Sequence, residues 1–478
     1  MNTIAVIGGG FSGTMVAVNL ARLSQAPLKV LIINRGCPNG RGVAYSTQRP
    51  EHLLNVAARN MSAFPDHPNH LLAWLRTRVE YADLPDSELR EMFIPRRVFG
   101  DYLLAVALPY TDPVDPMASV KIEFVCGEAV DFQQKENRSY VILSDCSEVV
   151  ADKIVLALGN QPPADLPGAE DLSDHSAYCA NPWKPWLDSL PPNGGKVLLL
   201  GTGLTTVDAI LTLIECGWEG TIQAVSRNGL LPRSHFKGIE YPDFPPENPE
   251  ELGLEKLNQL IEHHCEILKN QGANPAIIVD KLRPFSQLIW QRFTREEKTQ
   301  FCSQYAARWN VVRHRIAPQI HEQVSGAIKS GKLEIKKGSI TKLQPTNDCV
   351  TVSLEDGTSI VGDLVINCTG PMTRFSKTEM PLIQNLLAGR QIQSDEMDMG
   401  ISVSENFNAI DSEGNPSSKI IAIGPLLRGT LWESVAVPEL RGQAMRVAQI
   451  LLEELEPDHA RDAAWPSFEE KAVMEYMI

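Results

Sequence analysis

Ile4-Ala5-Val6-Ile7-Gly8-Gly9-Gly10-Phe11-Ser12-Gly13 sets four apolar residues directly ahead of the pattern Gly8-x-Gly10-x-x-Gly13. A short unbroken apolar run is what a parallel strand buried on both faces needs. The amphipathic stretch from Thr14 to Leu23 reads as the helix that follows, so strand, tight turn and helix come in the order of a dinucleotide site. The chemistry of such a site lies in its backbone. Gly8 lets the chain turn, Gly10 has no Cβ to keep a pyrophosphate away, and Gly13 lets the helix pack on the strand. The free N–H groups of the first helical turn, at Phe11, Ser12 and Gly13, then face the phosphates. Lys29 to Ile33 supplies the second strand. Where an acidic side chain usually holds the ribose hydroxyls, about 20 residues past the glycines, this chain has Asn34, whose amide also bonds a hydroxyl.

The pattern recurs. Lys196 to Leu200 runs into Gly201-Thr202-Gly203-Leu204-Thr205-Thr206, with an apolar helix from Val207 to Ile214. Gly201, Gly203 and Thr205 therefore mark a second nucleotide site. Thr206 replaces the third glycine, which predicts slightly wider spacing between helix and strand. The next strand, Thr221 to Val225, ends in Ser226-Arg227. An acidic residue there would repel the 2′-phosphate of NADPH, whereas serine and arginine bind it, so the second site is expected to prefer NADPH.

Between and around these units the chain alternates. A helix is predicted over Asn69 to Val79 with Leu71, Leu72, Leu75 and Val79 on one face, and another over Asp101 to Leu108. Val120 to Val125, Val130 to Phe132 and Ser139 to Leu143 read as an antiparallel meander, and Asp152 to Asn160 as a buried strand ending at Gly159. The proline-rich stretch Gln161 to Pro192 reads as a linker. Pro249 to Lys329 carries helical apolar stripes and reads as an inserted helical subdomain. Ile420 to Pro425, with Gly424, and Trp432-Glu433 precede a last helix, Pro438 to Leu452. The expected architecture is α/β, two Rossmann-like dinucleotide-binding domains with a helical insert. Its first domain occupies 1–165 and returns over 346–478, and its second occupies 166–345 with the insert at 249–329.

With 478 residues and 43% hydrophobic content the chain is long enough for two or three folded domains. A net charge of −15 argues against nucleic acid as a partner, because the phosphate backbone calls for clustered cations. Nine cysteines without a Cys-x-x-Cys pair or a Cys/His cluster fit a reducing compartment and suggest neither structural zinc nor a redox disulfide, and no metal site is predicted. The apolar N-terminal run lacks a basic leader and is broken by glycines, so it reads as a strand rather than a signal sequence. No run approaches a membrane span, and a cytoplasmic protein is expected.

Taken together, Gly8 to Gly13, Ala157-Leu158-Gly159, Gly201 to Thr206, Ile366-Asn367-Cys368-Thr369-Gly370 and Ile423-Gly424-Pro425 resemble the two-dinucleotide-domain flavoproteins, in which FAD binds first and NAD(P)H second. More narrowly, Gly42-Val43-Ala44-Tyr45, His52-Leu53-Leu54-Asn55-Val56 and Ser226-Arg227-Asn228-Gly229-Leu230-Leu231-Pro232 resemble the bacterial FAD/NAD(P)-binding family, near the flavin-dependent N-hydroxylating monooxygenases. The resemblance implies FAD and NADPH as cofactors. It sets His52 and Asn55 beside the isoalloxazine as candidate catalytic residues, His52 as acid or base and Asn55 bonding the ring edge or the substrate, with Gly159, Gly424 and Trp432 around the flavin. The ordinary alternatives are a loop asparagine bonding its own backbone, a core tryptophan and, for Arg313-His314-Arg315, a solvated helix face rather than an anion grip. Cys368 reads as a small buried hydrophobe.

The first expectation of function is an NADPH-dependent flavin monooxygenase that uses molecular oxygen, through a flavin C4a-hydroperoxide, on a small amine-type substrate. A flavoprotein reductase serving a quinone or protein acceptor needs the same two sites, and a non-catalytic FAD-binding sensor is the third reading. A homo-oligomer is compatible with all three.

Overall fold

The computed structural model describes residues 1–36, 40–112, 119–135, 138–192, 194–236 and 240–457. Residues 37–39 of the glycine-rich loop after the second strand lie outside the described residues.

The first unit begins with strand β1 (Asn2–Ile7), helix α1 (Phe11–Leu23) and strand β2 (Leu28–Asn34). Helices α2 (Gly42–Tyr45), α3 (His70–Arg76), α4 (Asp86–Glu91) and α5 (Arg96–Thr111) lead to strand β3 (Val120–Cys126). Strands β4 (Ala129–Lys135), β5 (Arg138–Leu143) and β6 (Glu148–Ala151) form an antiparallel layer before β7 (Lys153–Leu156) returns to the main sheet. β1 pairs in parallel with β2 on one side and β7 on the other. Ile4, Ala5 and Val6 are wholly buried, which accounts for the unbroken apolar run.

Two expectations are corrected here. Val120–Val125 does not join the meander: β3 pairs in parallel with β2, Val30 opposite Ile122, as the sheet's outer strand. Its alternating burial is that of an edge strand with one covered face. The helix over 69–79 ends at Arg76, and Val79 is 91% exposed rather than on the buried face.

The second unit carries strand β8 (Tyr178–Cys179), β9 (Lys196–Leu200), helix α6 (Leu204–Glu215) and β10 (Thr221–Ser226). A helical cluster follows: α7 (Gly253–Asn270), α8 (Ile277–Leu282), α9 (Ser286–Arg292), α10 (Arg295–Gln300) and α11 (Ala306–Arg313). Helix α12 (Pro318–Lys329) lies within the stretch expected as insert, yet Ile320, Val324 and Ala327 pack with Val207 and Ile210 of α6. It is the crossover from β10 to β11 (Leu333–Lys337).

Strands β12 (Ile340–Pro345), β13 (Val350–Leu354) and β14 (Ser359–Gly362) form an antiparallel layer, and β15 (Leu364–Asn367) pairs in parallel with β9 and β8. The second unit thus extends beyond residue 345 to the end of β15. Helix α13 (Pro381–Ala388), strands β16 (Asn408–Ile410) and β17 (Pro416–Ala422) and helix α14 (Val437–Leu455) complete the first unit. The sheet orders are β16-β17-β7-β1-β2-β3 and β11-β10-β9-β15-β8. The second is parallel throughout, the first parallel except for β16. The molecule is therefore α/β, two Rossmann-like units with a helical cluster. Among the described residues no helix is long and apolar enough to cross a membrane.

Candidate functional site

The two glycine turns have the same backbone. Gly8 and Gly201 have φ of +113° and +112°, values that L side chains rarely adopt. A Cβ on Gly8 would lie 2.2 Å from the Ala157 carbonyl oxygen, and one on Gly201 2.4 Å from that of Cys368. Each first glycine thus sits against the chain leaving the neighbouring strand, β7 or β15. Gly10 and Gly203, the N-caps of α1 and α6, have φ, ψ of −86°, −166° and −84°, −165°, and neither helix has a side-chain cap. First-turn N–H groups have no partner inside a helix, so both helices begin with donors free for a phosphate. A Cβ on Gly203 would meet nothing within 4 Å, and one on Gly10 only Gly42 Cα at 3.5 Å. Both second glycines therefore leave room for a pyrophosphate. Gly13 fits the strand closely, since a Cβ there would be 2.0 Å from the Gly8 oxygen. Thr206 takes the equivalent place in α6 and is fully buried.

Around the first turn, Asn34 stands at the end of β2. Its Oδ1 accepts from the Gly9 N–H at 3.2 Å and its Nδ2 donates to the Gly36 carbonyl. The side chain expected on a ribose thus fastens the glycine loop. Gly40 donates its N–H to the Gly9 oxygen at 2.8 Å, which brings the Gly40–Gly42 segment over the same loop. Phe11 packs against Phe99, ring centroids 6.4 Å apart. Ser12 faces Gly424, where a Cβ would come within 3.1 Å of Ser12 Oγ. Gln443 accepts from the Gly424 N–H, and Ser434 donates to its carbonyl at 2.8 Å. Gly159, at φ +71°, has open space where a side chain would be. Gly8, Gly10, Phe11, Ser12, Gly13 and Gly424 therefore share one end of the first sheet.

At the second turn the Ser226 hydroxyl is already engaged. It pairs with Thr202 Oγ1 at 2.8 Å and accepts from the Gly229 N–H at 3.1 Å. Arg227 is exposed and makes no hydrogen bond or ion pair among the described residues. Of the pair read as a phosphate site, the arginine is available and the serine holds the turn that presents it. Thr205 is half-buried in the first turn of α6.

His52 and Asn55 sit where the two units meet. His52 Nδ1 lies 3.0 Å from Thr47 Oγ1, and Nε2 lies 2.9 Å from Thr212 Oγ1 and 3.2 Å from the Asp208 carbonyl of α6. Both ring nitrogens are occupied and burial lowers the pKa, Asp208 opposing. Bonded at both ring nitrogens, His52 ties the first unit's loop to α6. Beside it Arg96 Nη1 meets Asp208 Oδ2 at 2.6 Å and Arg96 Nε donates to the Leu53 carbonyl. His235 Nε2 meets the Asn55 carbonyl at 2.8 Å from the second unit. The Asn55 side-chain amide is half-buried and makes no hydrogen bond among the described residues. Arg96, Asp208 and His235 had no signal in the sequence, because their partners lie 112 and 180 residues away.

Trp432 lies in the core of the helical cluster. Its ring is 4.8 Å from that of Trp290 and 5.2 Å, edge to face, from that of Phe301. Glu433 next to it is buried, accepting from Trp309 Nε1 and from Arg313 Nε, both at 3.1 Å. Arg313 also reaches Glu439 of α14, which Arg283 holds at 2.8 Å. Arg315 pairs with Asp280 at 2.9 Å. The reading of Arg313-His314-Arg315 as a solvated face is thus overturned: both arginines are buried in ion pairs, and those of Arg313 fasten the helical cluster to α14. Cys368 is fully buried and its thiol pKa is pushed up by that burial, as expected of a small hydrophobe.

This pair of matched turns, one per parallel sheet, defines a two-dinucleotide-domain flavoprotein fold. Residues 5–161 match the model of the FAD-NAD(P)-binding family. Comparison with curated proteins gave no match. Among solved structures the chain is similar to L-lysine 6-monooxygenase from Pseudomonas syringae, at 13% identity over 95% of this chain and 100% of that one, with a TM-score of 0.66. It is similar to the ornithine N-hydroxylase KtzI of Kutzneria sp. 744, solved with reduced FAD, NADP+ and L-ornithine, at 14% identity, 94% and 99% coverage and a TM-score of 0.62. It is also similar to the bacillithiol disulfide reductase of Staphylococcus aureus, at 13% identity, 95% and 99% coverage and a TM-score of 0.53.

Proposed function

We propose that this chain is an FAD-dependent, NADPH-using monooxygenase that oxidises a small amine. The observation that carries the reading is the pair of open, uncapped glycine turns of equal geometry, with a helical cluster fastened to the first domain's last segment through Glu433 and Glu439. FAD, when bound, accepts a hydride from NADPH and activates oxygen. The residues do the rest. Gly10 and the first turn of α1 hold one pyrophosphate, Gly203 and α6 the other, and Arg227 takes the 2′-phosphate. His52, Arg96 and Asp208 fix α6 against the first domain, and so set the distance between the two nucleotides. The helical cluster excludes water from the space beside Trp432.

Protein reconstituted with FAD is expected to bleach under anaerobic NADPH and to convert an amine to its hydroxylamine once oxygen is admitted. The fold shared with a disulfide reductase supports the second reading, electron transfer to a quinone or protein acceptor. Quinone-dependent NADPH oxidation, with oxygen yielding only hydrogen peroxide, would favour that reading.

A further inference from the structure

Phe11, Phe99 and Tyr45 form an aromatic row beside the first glycine turn: the Phe99 ring lies 6.4 Å from that of Phe11 and 4.7 Å, edge to face, from that of Tyr45. Tyr45 closes α2, whose first residue lies against the turn itself, since a Cβ on Gly42 would come 2.9 Å from Gly10 Cα. The Tyr45 carbonyl in turn sits against Gly100 of α5, where a Cβ would be 2.5 Å away. Backbone contacts and Phe99 thus hold Tyr45 in place, and its hydroxyl is not needed for that. A phenol taken out of water usually bonds its O–H. Tyr102, 5.6 Å from the same Phe99, does so: its Oη meets His70 Nδ1 at 2.9 Å and accepts from the Ala63 N–H at 3.1 Å. Tyr45 packs against the same core, yet its Oη makes no hydrogen bond among the described residues. Burial pushes the Tyr45 pKa up to about 12, Arg96 opposing, so the phenol keeps a proton to donate. Arg96, close enough to act on Tyr45, has its own donors on the Leu53 carbonyl and, at 2.6 Å, on Asp208 of the second unit. The free O–H therefore stands between the first glycine turn and the junction of the two units. A ring that takes hydride from a nucleotide in the second unit, with its own pyrophosphate at Gly10, lies in that interval.

Resting only on the FAD part of the proposed function, we infer that the Tyr45 hydroxyl donates a hydrogen bond to the isoalloxazine ring and raises the reduction potential of the flavin. Reduction adds electron density to the ring's acceptor atoms, and a donor bonds a more negative acceptor more strongly, so Tyr45 favours the reduced form.

The test uses the full-length chain loaded with FAD. Tyr45→Phe keeps the ring on Phe99 and removes only the hydroxyl, so FAD content and melting temperature should be retained. Its two-electron midpoint potential, read by reduction alongside a dye of known potential, should fall by about 30 mV or more, a tenfold loss in the equilibrium constant for reduction. The visible flavin bands should shift with it. An unchanged potential would overturn the inference, and so would weaker FAD binding at an unchanged potential, which is the mark of a contact to the ribityl chain or pyrophosphate. Should Tyr45→Phe lose FAD, the measurement passes to 3-fluorotyrosine placed at position 45, a more acidic phenol of nearly the same shape. The potential should then rise, and the absence of a rise would equally overturn the inference. The functional reading fails separately, when NADPH and oxygen leave every amine in a mixed panel unoxidised, a result that leaves these potentials as predicted.

Discussion

His52 Nε2 and Thr212 Oγ1 lie 2.9 Å apart, joining a loop of the first nucleotide domain to the helix that begins the second nucleotide site. The Arg96–Asp208 pair beside them is largely buried on both sides, at 12% and 11% side-chain exposure. Removing one member of a buried pair strands the other charge. Asp208→Ala is therefore expected to cost about 2–4 kcal/mol in urea denaturation. The double variant Arg96→Met with Asp208→Ala should recover part of that loss. Additive losses would show that the pair does not couple the domains.

Gly201 and Gly203 separate folding from binding. A Cβ on Gly203 meets nothing and its φ of −84° suits any residue, so Gly203→Ala should leave stability within about 1 kcal/mol. With the second pyrophosphate at Gly203, as proposed, the added methyl crowds it, and NADP+ affinity by calorimetry should fall about tenfold or more. Gly201→Ala, at φ +112° against the Cys368 carbonyl, should instead cost about 2 kcal/mol or more.

Arg227 is exposed, while Ser226 is held by Thr202 and Gly229. Arg227→Ala should raise the KM for NADPH about tenfold, the worth of one charge-assisted hydrogen bond, and leave that for NADH almost unchanged. Ser226→Ala should act chiefly by loosening the turn, and so affect both nucleotides alike.

The glycine turns, the buried parallel strands and the helical cluster were readable because each depends on local pattern: Gly spacing, an apolar run, a 3.6-residue stripe. Val120–Val125 reads from sequence as a meander strand because an edge strand of a parallel sheet shows the same alternation. Val79 kept helical spacing after the helix had ended at Arg76. The fates of His52 and Arg313 were not visible, since each depends on partners more than 100 residues away in sequence. Adjacent arginines look solvated until the buried carboxylates that receive them are known.

His314 next to Arg313 is held down to about 4, first by burial and then by Arg313, against the pull of Glu433 and Glu439. Its folded pKa lies below the unfolded value near 6.5, so the unfolded state binds the proton first and stability is lost as pH falls from about 6.5 toward 4. The lowered pKa values of His52 and His235 act in the same direction. Urea midpoints measured between pH 7.5 and 4.5 should decline, and His314→Gln should flatten the decline by the order of 2 kcal/mol. An unchanged slope in that variant would remove His314 from the account.

Whether NADPH and oxygen are spent on an amine can be read by mass spectrometry of the products formed under ¹⁸O₂ by the FAD-loaded protein, with NADPH consumption recorded alongside. One ¹⁸O atom in a hydroxylamine is expected for each NADPH oxidised. NADPH consumed with all labelled oxygen recovered as hydrogen peroxide, across a panel from alkylamines to amino acids, would contradict it.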